Sequence, residues 1–365
     1  MLNKLPLHDI HCSEGAEFME QFNWSIPTQY SDVGSEYHAL QRDSGLVDLC
    51  NSVILELQGD DRTRFLNGMV TNDIKALLPG QGCHAVFLSP QGRMIADLKI
   101  LCFAERFLLI GEPAVKDTLG STLRKYIIGD RSRLLDRSGE LGLFSLQGPK
   151  SRQVISMLLG EAPALRSLYD HVEVVAHTAT FEVCRIGRTP AGGFDLVIPY
   201  EHLSEIWALL LENGREYGLR PVGFSSYNIR RVESGIPLFG IDMNDQILPL
   251  EAGMEKDAIS YTKGCYIGQE SVARITYRGH VNRKLSGLRL DNGEGILAGD
   301  KVLKGDQEVG WISSVVHSPS LGFRIALAYL RREVEHAAEV KVAHESSFTR
   351  AEVTALPFIS AENNQ

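Results

Sequence analysis

The chain has 365 residues, 44% of them hydrophobic and 23% charged, an ordinary globular composition with enough apolar material for two or three domains. Its formal charge of −9 speaks against a general nucleic-acid coat, because phosphate binding is driven by clustered Lys and Arg. No run approaches the roughly 18 apolar residues of a membrane span, and Asn3, Lys4, His8 and Asp9 interrupt the N-terminal stretch, so a soluble, cytoplasmic protein with neither nucleic-acid nor membrane partners is expected.

Residues 34–49 carry apolar positions at helical spacing and predict a short helix stopping near Gly45. SVILELQG (52–59) alternates like a strand, and Asp60 or Asp61 then caps a helix through RTRFLNGM. A turn follows at 77–80. HAVFLSP (84–90) and MIADLKILCF (94–103) read as strands of a hairpin turning through Gln91-Gly92-Arg93. RFLLIGE (106–112) is a third strand, and 114–127 is helical. Strands that arrive as hairpins indicate an α+β fold rather than a doubly wound parallel sheet.

LGLFSLQGP (141–149) is a strand followed by a helix through 151–160. FEVCRIGR (181–188) and FDLVIPY (194–200) pair around the turn TPAGG, and 202–218 is an amphipathic helix stopped by Gly218, with Trp207 in the core. From 281 onward short strands alternate with Gly- and Asp-rich turns, the pattern of a small all-β barrel or sandwich. The last residues, 359–365, are polar and expected to fray.

The six cysteines, Cys12, Cys50, Cys83, Cys102, Cys184 and Cys265, are scattered, with no C-x-x-C pair and no zinc-site spacing. Cys50, Cys102 and Cys184 stand among apolar neighbours and should behave as small buried hydrophobes. No metal site and no disulfide framework is expected, which suits a reducing compartment.

The segment 253–280 is the most informative. Cys265 follows Gly264 and precedes Gly268, with Lys263 two residues upstream and Lys256, Arg274 and Arg278 close in sequence. Flanking glycines allow a tight turn that exposes the side chain. A neighbouring cation, and the amides of a helix beginning near Gly268, would favour the thiolate. The plain reading is a small residue in a turn.

The run Lys263-Gly264-Cys265-Tyr266-Ile267-Gly268-Gln269-Glu270, followed by Val272-Ala273-Arg274, resembles the signature of the YgfZ-type proteins, which support iron–sulfur enzymes in a folate-dependent way. Nearly the whole chain resembles the wider glycine cleavage T-protein superfamily. The matching stretches include Ser44-Gly45-Leu46-x-Asp48-Leu49, Val70-Thr71-Asn72-Asp73, Gln147-Gly148-Pro149, Gly193-Phe194-Asp195 and Glu233-Ser234-Gly235-Ile236-Pro237.

That resemblance implies two interleaved α+β domains, 1–50 with 138–220 and 51–137 with 221–280, then a β-barrel over 281–358 and a tail over 359–365, arranged around a central channel for tetrahydrofolate or a derivative. Asp97 falls where T-proteins carry the acid that positions the pterin and assists one-carbon transfer; they show two adjacent acids there, and this chain keeps the second. A carboxylate between Ala96 and Leu98 would be partly desolvated, with a raised pKa. Asp195 matches an acid, usually Glu, that hydrogen-bonds the pterin. Tyr227 and Asn228 stand where T-proteins carry an Arg-Asp pair, which leaves Tyr227 a stacking role. His84, where T-proteins usually have Tyr, and Asn72 are candidates to line the channel. The implied activity is folate-dependent assistance to the assembly or repair of iron–sulfur enzymes, including tRNA-modifying ones. Cys265 is its functional thiol beside the channel mouth, and iron–sulfur proteins or their assembly factors are the partners. The other readings are an aminomethyltransferase or related tetrahydrofolate-dependent demethylase, and a folate sensor without chemistry.

Overall fold

The structure, a computed structural model, describes residues 2–360 apart from Ser346. Two antiparallel-rich sheets and a closed barrel carry the cores. The five-stranded sheet runs Gly82–Leu88, Met94–Cys102, Arg106–Gly111, Val53–Gln58 and Arg133–Asp136. Its first three strands form consecutive hairpins, and Gly92, at φ +80°, lets the first one turn. The six-stranded sheet runs His171–Ala176, Ala179–Ile186, Gly193–Pro199, Leu141–Gln147, Gly45–Asp48 and Arg220–Pro221. The α+β expectation holds.

Six strands between Arg283 and Thr354 close into the barrel predicted for the C-terminal part. Its interior is filled by alternate residues such as Leu288, Leu290, Ala326, Ala328 and Val342. Of the polar tail, 361–365 lie outside the described residues. No helix among the described residues is long and apolar enough to cross a membrane.

Two local expectations are corrected. The short helix expected to stop near Gly45 spans Val33–Arg42 and ends three residues before that glycine, capped by Asp32, which accepts from the Ser35 amide at 2.8 Å. Gly45–Asp48 is instead a strand with all four residues buried. A strand covered on both faces shows no alternation, so its sequence blends into the preceding helical pattern. Asp61 precedes the helix Arg62–Met69 without capping it; its carboxylate accepts from the Arg131 amide at 2.8 Å and so ties down a distant loop.

Candidate functional site

The hairpin Gly82–Leu88/Met94–Cys102 aligns His84 with Lys99 and Val86 with Asp97. His84 and Asp97 are therefore diagonal neighbours on one face, and Lys99 shares that face because strand side chains repeat every second residue. The intervening Ala96, Leu98 and Ile100 point into the core and are fully buried. A cavity of about 450 Å³ opens against this polar face, within the usual range of small-molecule sites. Glu112, Arg188, Tyr227, Lys256 and Asp257 add to its polar wall, and Pro237, Met254 and Leu356 supply apolar surface.

Asp97 is 4% exposed. One oxygen bonds His84 Nε2 and the other accepts from Lys99 Nζ at 2.8 Å. Burial opposes its ionisation, but His84 and Lys99 outweigh burial and hold the carboxyl well below its ordinary range. This corrects the expectation of a raised pKa: Asp97 is a fixed anion. Burial likewise opposes the charge on Lys99, and Asp97 with Glu112 overcomes it, so its pKa is raised.

Asp195 is placed otherwise than expected. It lies opposite Ser145 in the six-stranded sheet, is 2% exposed and forms no part of the cavity wall. Its carboxylate accepts from Ser145 Oγ at 2.7 Å and from Arg188 Nε and Nη2 at 3.0 and 2.7 Å. That bidentate clasp spends the oxygens a pterin would need. Asp195 is a positioning residue for Arg188, which does reach the cavity. Burial disfavours the guanidinium charge, but Asp195 more than restores it.

Tyr227 reaches the same cavity while its ring packs with Leu40, Val47 and Val222. Burial raises its phenol, an effect the Arg188 guanidinium beside it partly offsets. Tyr227 cannot provide the cationic fork of the T-protein arginine, yet Arg188 brings a guanidinium to the same wall.

Asn72 braces the site without lining it. Its Nδ2 donates to the His84 and Asp257 carbonyls at 2.8 and 3.1 Å, joining the His84 strand to the segment that carries Met254 and Asp257. A side-chain amide can bridge two stretches of backbone at once, and Asn72 does so here.

The cysteine segment also differs from expectation. Lys263 is 9% exposed, and its Nζ donates to the Asn67, Val70 and Asn72 carbonyls at 2.7, 2.7 and 2.6 Å. Three donors meet three acceptors, so Lys263 clamps the motif to the 67–72 segment instead of standing free to activate Cys265. Burial pushes the Lys263 pKa down to about 8. The thiol that feels Lys263 is Cys83, which burial drives up to about 12 against that charge.

Cys265 and Gly264 are exposed, and Cys265 lies outside the cavity wall. Tyr266 is anchored in the core. Gln269 is half-buried, while Glu270 and Arg274 are exposed on the helix Gln269–Arg278. Gly268, at φ +81°, precedes that helix, and an added Cβ would fall 2.6 Å from the Ser89 carbonyl oxygen. Gly268→Ala should therefore destabilise the protein by about 1–3 kcal/mol, read as a lower denaturant midpoint at unchanged slope.

Lys99, Glu112 and Arg188 were missed by sequence reasoning. A signal existed for Lys99: it stands two residues after Asp97 in a strand whose intervening positions are apolar. Glu112 at a strand end and Arg188 before a turn carry no comparable mark.

Fold and site together define an α+β protein with a C-terminal barrel and a charged cavity beside its hairpin sheet. Residues 7–263 match the GCVT N-terminal domain, and residues 283–359 match the Glycine cleavage T-protein C-terminal barrel domain. The chain is 31% identical over 369 residues to the aminomethyltransferase of Symbiobacterium thermophilum, covering 98% of this chain and 97% of that one. It is 27% identical over 363 residues to the aminomethyltransferase of Bacillus subtilis, covering 98% and 99%. Glycine cleavage system aminomethyltransferase T from Bartonella henselae shares the fold, with a TM-score of 0.90 at 22% identity over 99% of both chains. The chain belongs to the glycine cleavage T-protein family.

Proposed function

We propose that the protein is a tetrahydrofolate-dependent one-carbon transferase of the aminomethyl-transfer type. The carrying observation is the His84–Asp97–Lys99 cluster on the wall of a ligand-sized cavity. Full-length relatives named aminomethyltransferase support this reading. The donor set suits a reduced pterin: an anionic Glu112 and a cationic Arg188 meet polar ring edges, and apolar surface meets the ring face. Tetrahydrofolate supplies the amine nitrogens that take up the one-carbon unit.

The chain's own part is positioning and proton handling. An ionised carboxylate only accepts, so Asp97 receives the His84 Nε2–H. That leaves Nδ1 as the ring's acceptor for a proton from a bound amine. Lys99 holds Asp97 in place and offsets its charge.

The test is turnover. Purified protein supplied with an aminomethyl-lipoyl carrier and tetrahydrofolate should release ammonia and form methylene-tetrahydrofolate, equally well with Cys265→Ser. Absence of turnover under conditions where a B. subtilis-type aminomethyltransferase works would sink the proposal.

A second reading is favoured by one observation, the exposure of Cys265 outside the cavity wall. On the YgfZ-type reading this thiol meets a partner from the iron–sulfur machinery while folate occupies the cavity. The six free cysteines fit the reducing cytoplasm such a role requires. It predicts that Cys265→Ser fails to restore iron–sulfur enzyme activity to cells lacking the protein although folate binding is intact. Full rescue by that variant removes the second reading.

A further inference from the structure

Glu112 stands where two hollows meet. With Tyr227 and Leu238 it borders both the main cavity and an enclosed, mostly apolar recess of about 30 Å³. That recess has room for little more than a water molecule, so a ring must lie in the main cavity and reach Glu112 by its edge. The Glu112 side chain is 13% exposed, with Lys99 Nζ and Arg188 Nη1 at 4.0 and 3.8 Å from Oε1. Both are ion-pair distances beyond hydrogen-bond reach. Among the described residues no group donates a hydrogen bond to either Glu112 oxygen.

A largely buried carboxylate without donors is costly unless water or a ligand supplies them. The other buried acids of this network are already engaged, Asp97 by His84 and Lys99 and Asp195 by Arg188 and Ser145; Asp257, the remaining acid of the cavity wall, is exposed to solvent. Arg188 commits Nε and Nη2 to Asp195, and its Nη1 is the nitrogen nearest Glu112. Around Glu112 the wall thus presents two free acceptors beside two cations, Arg188 through Nη1 and Lys99 through the Nζ protons not given to Asp97. The complementary ligand edge is a carbonyl next to a ring N–H and an amino group, the edge of a 2-amino-4-oxopyrimidine.

We infer that Glu112, and not Asp195, reads the amino-pyrimidinone edge of the pterin, with Arg188 Nη1 meeting the adjacent carbonyl oxygen. This deepens the folate reading above and rests on it. Glu112 accepts from the ring N–H and the 2-amino group in a bidentate, charge-assisted pair, and Asp195 acts only by holding Arg188.

Calorimetric titration with 5-formyltetrahydrofolate and with its 2-desamino-2-methyl analogue tests the assignment in the wild type, Glu112→Gln and Glu112→Asp. Loss of the charge-assisted contact in Glu112→Gln should weaken 5-formyltetrahydrofolate about tenfold to a hundredfold. The analogue should be weakened similarly in the wild type but not further in Glu112→Gln, because the two changes remove one interaction. Glu112→Asp keeps the charge and should retain part of the preference for the amino-bearing ligand, a result a merely structural role would not produce. Equal discrimination between the ligands by wild type and Glu112→Gln overturns the assignment alone. A wild type that binds neither ligand overturns the folate reading and the assignment with it.

Discussion

Replacing Asp97 by Asn should lower the rate of one-carbon transfer by about 10²–10⁴-fold, with a much smaller change in folate affinity. Asn is nearly isosteric, but its amide NH₂ can donate to His84 and so favour the tautomer whose Nδ1 carries the proton. Lys99 would keep the amide oxygen as an acceptor but lose the anionic charge 2.8 Å away, leaving Glu112 at 4.0 Å as its nearest carboxylate. Single-turnover measurement separates the chemical step from binding, and a thermal melt checks that the variant is folded. A rate within threefold of wild type would remove the dyad from the mechanism.

The same substitution has a pH signature. The folded-state pKa of Asp97 lies below its ordinary 3.8, so on acidification the unfolded chain takes up this proton first. The stabilisation is complete above the ordinary value and is lost as pH falls below it toward the folded pKa. Denaturant unfolding of the wild type should therefore show a falling midpoint on acidification below about pH 4. Asp97→Asn should lack that share of the slope.

The largest stability effect is expected at Asp195. Asp195→Leu leaves the Arg188 guanidinium buried without its bidentate partner, and removing one member of such a pair costs about 3–5 kcal/mol. Ser145 loses its acceptor as well. Replacing both residues by apolar ones, Asp195→Leu with Arg188→Met, should recover most of that loss, because no buried charge is then stranded. Ligand binding should not recover in the double variant, since Arg188 is the member that faces the cavity. Equilibrium denaturation and ligand titration on the wild type and these two variants separate the two contributions. Ligand affinity fully restored in the double variant would mean that Arg188 does not contact the ligand.

Much of the site's location was legible because its frame is local. Asp97 and Lys99 alternate with Ala96, Leu98 and Ile100 in their strand, and His84 is in the adjoining strand across a Gly92 turn. What those groups do was less legible. A carboxylate between Ala96 and Leu98 suggests desolvation and a raised pKa, but Lys99 and His84 on the same face reverse the sign. Asp195 was read as a ligand contact because it matches the acid that the T-protein resemblance assigns to the pterin; its partner Arg188 lies across a turn and comes beside it only through pairing of the strands Ala179–Ile186 and Gly193–Pro199. Lys263 was read as an activator of Cys265 because the two are near in sequence, whereas its ammonium turns inward to carbonyls of the 67–72 segment.

The sequence by itself determined the α+β class, the hairpins of the first sheet and the C-terminal barrel, because hydrophobic period and turn chemistry act over a few residues; the family was legible from resemblance, through motifs matched along nearly the whole chain. Tertiary structure decided which charges pair. The partners of Asp195 and Lys263 are contributed by separate strands and loops, and in a low-dielectric interior a few ångströms determine whether a carboxylate is spent on a neighbour or left open to a ligand.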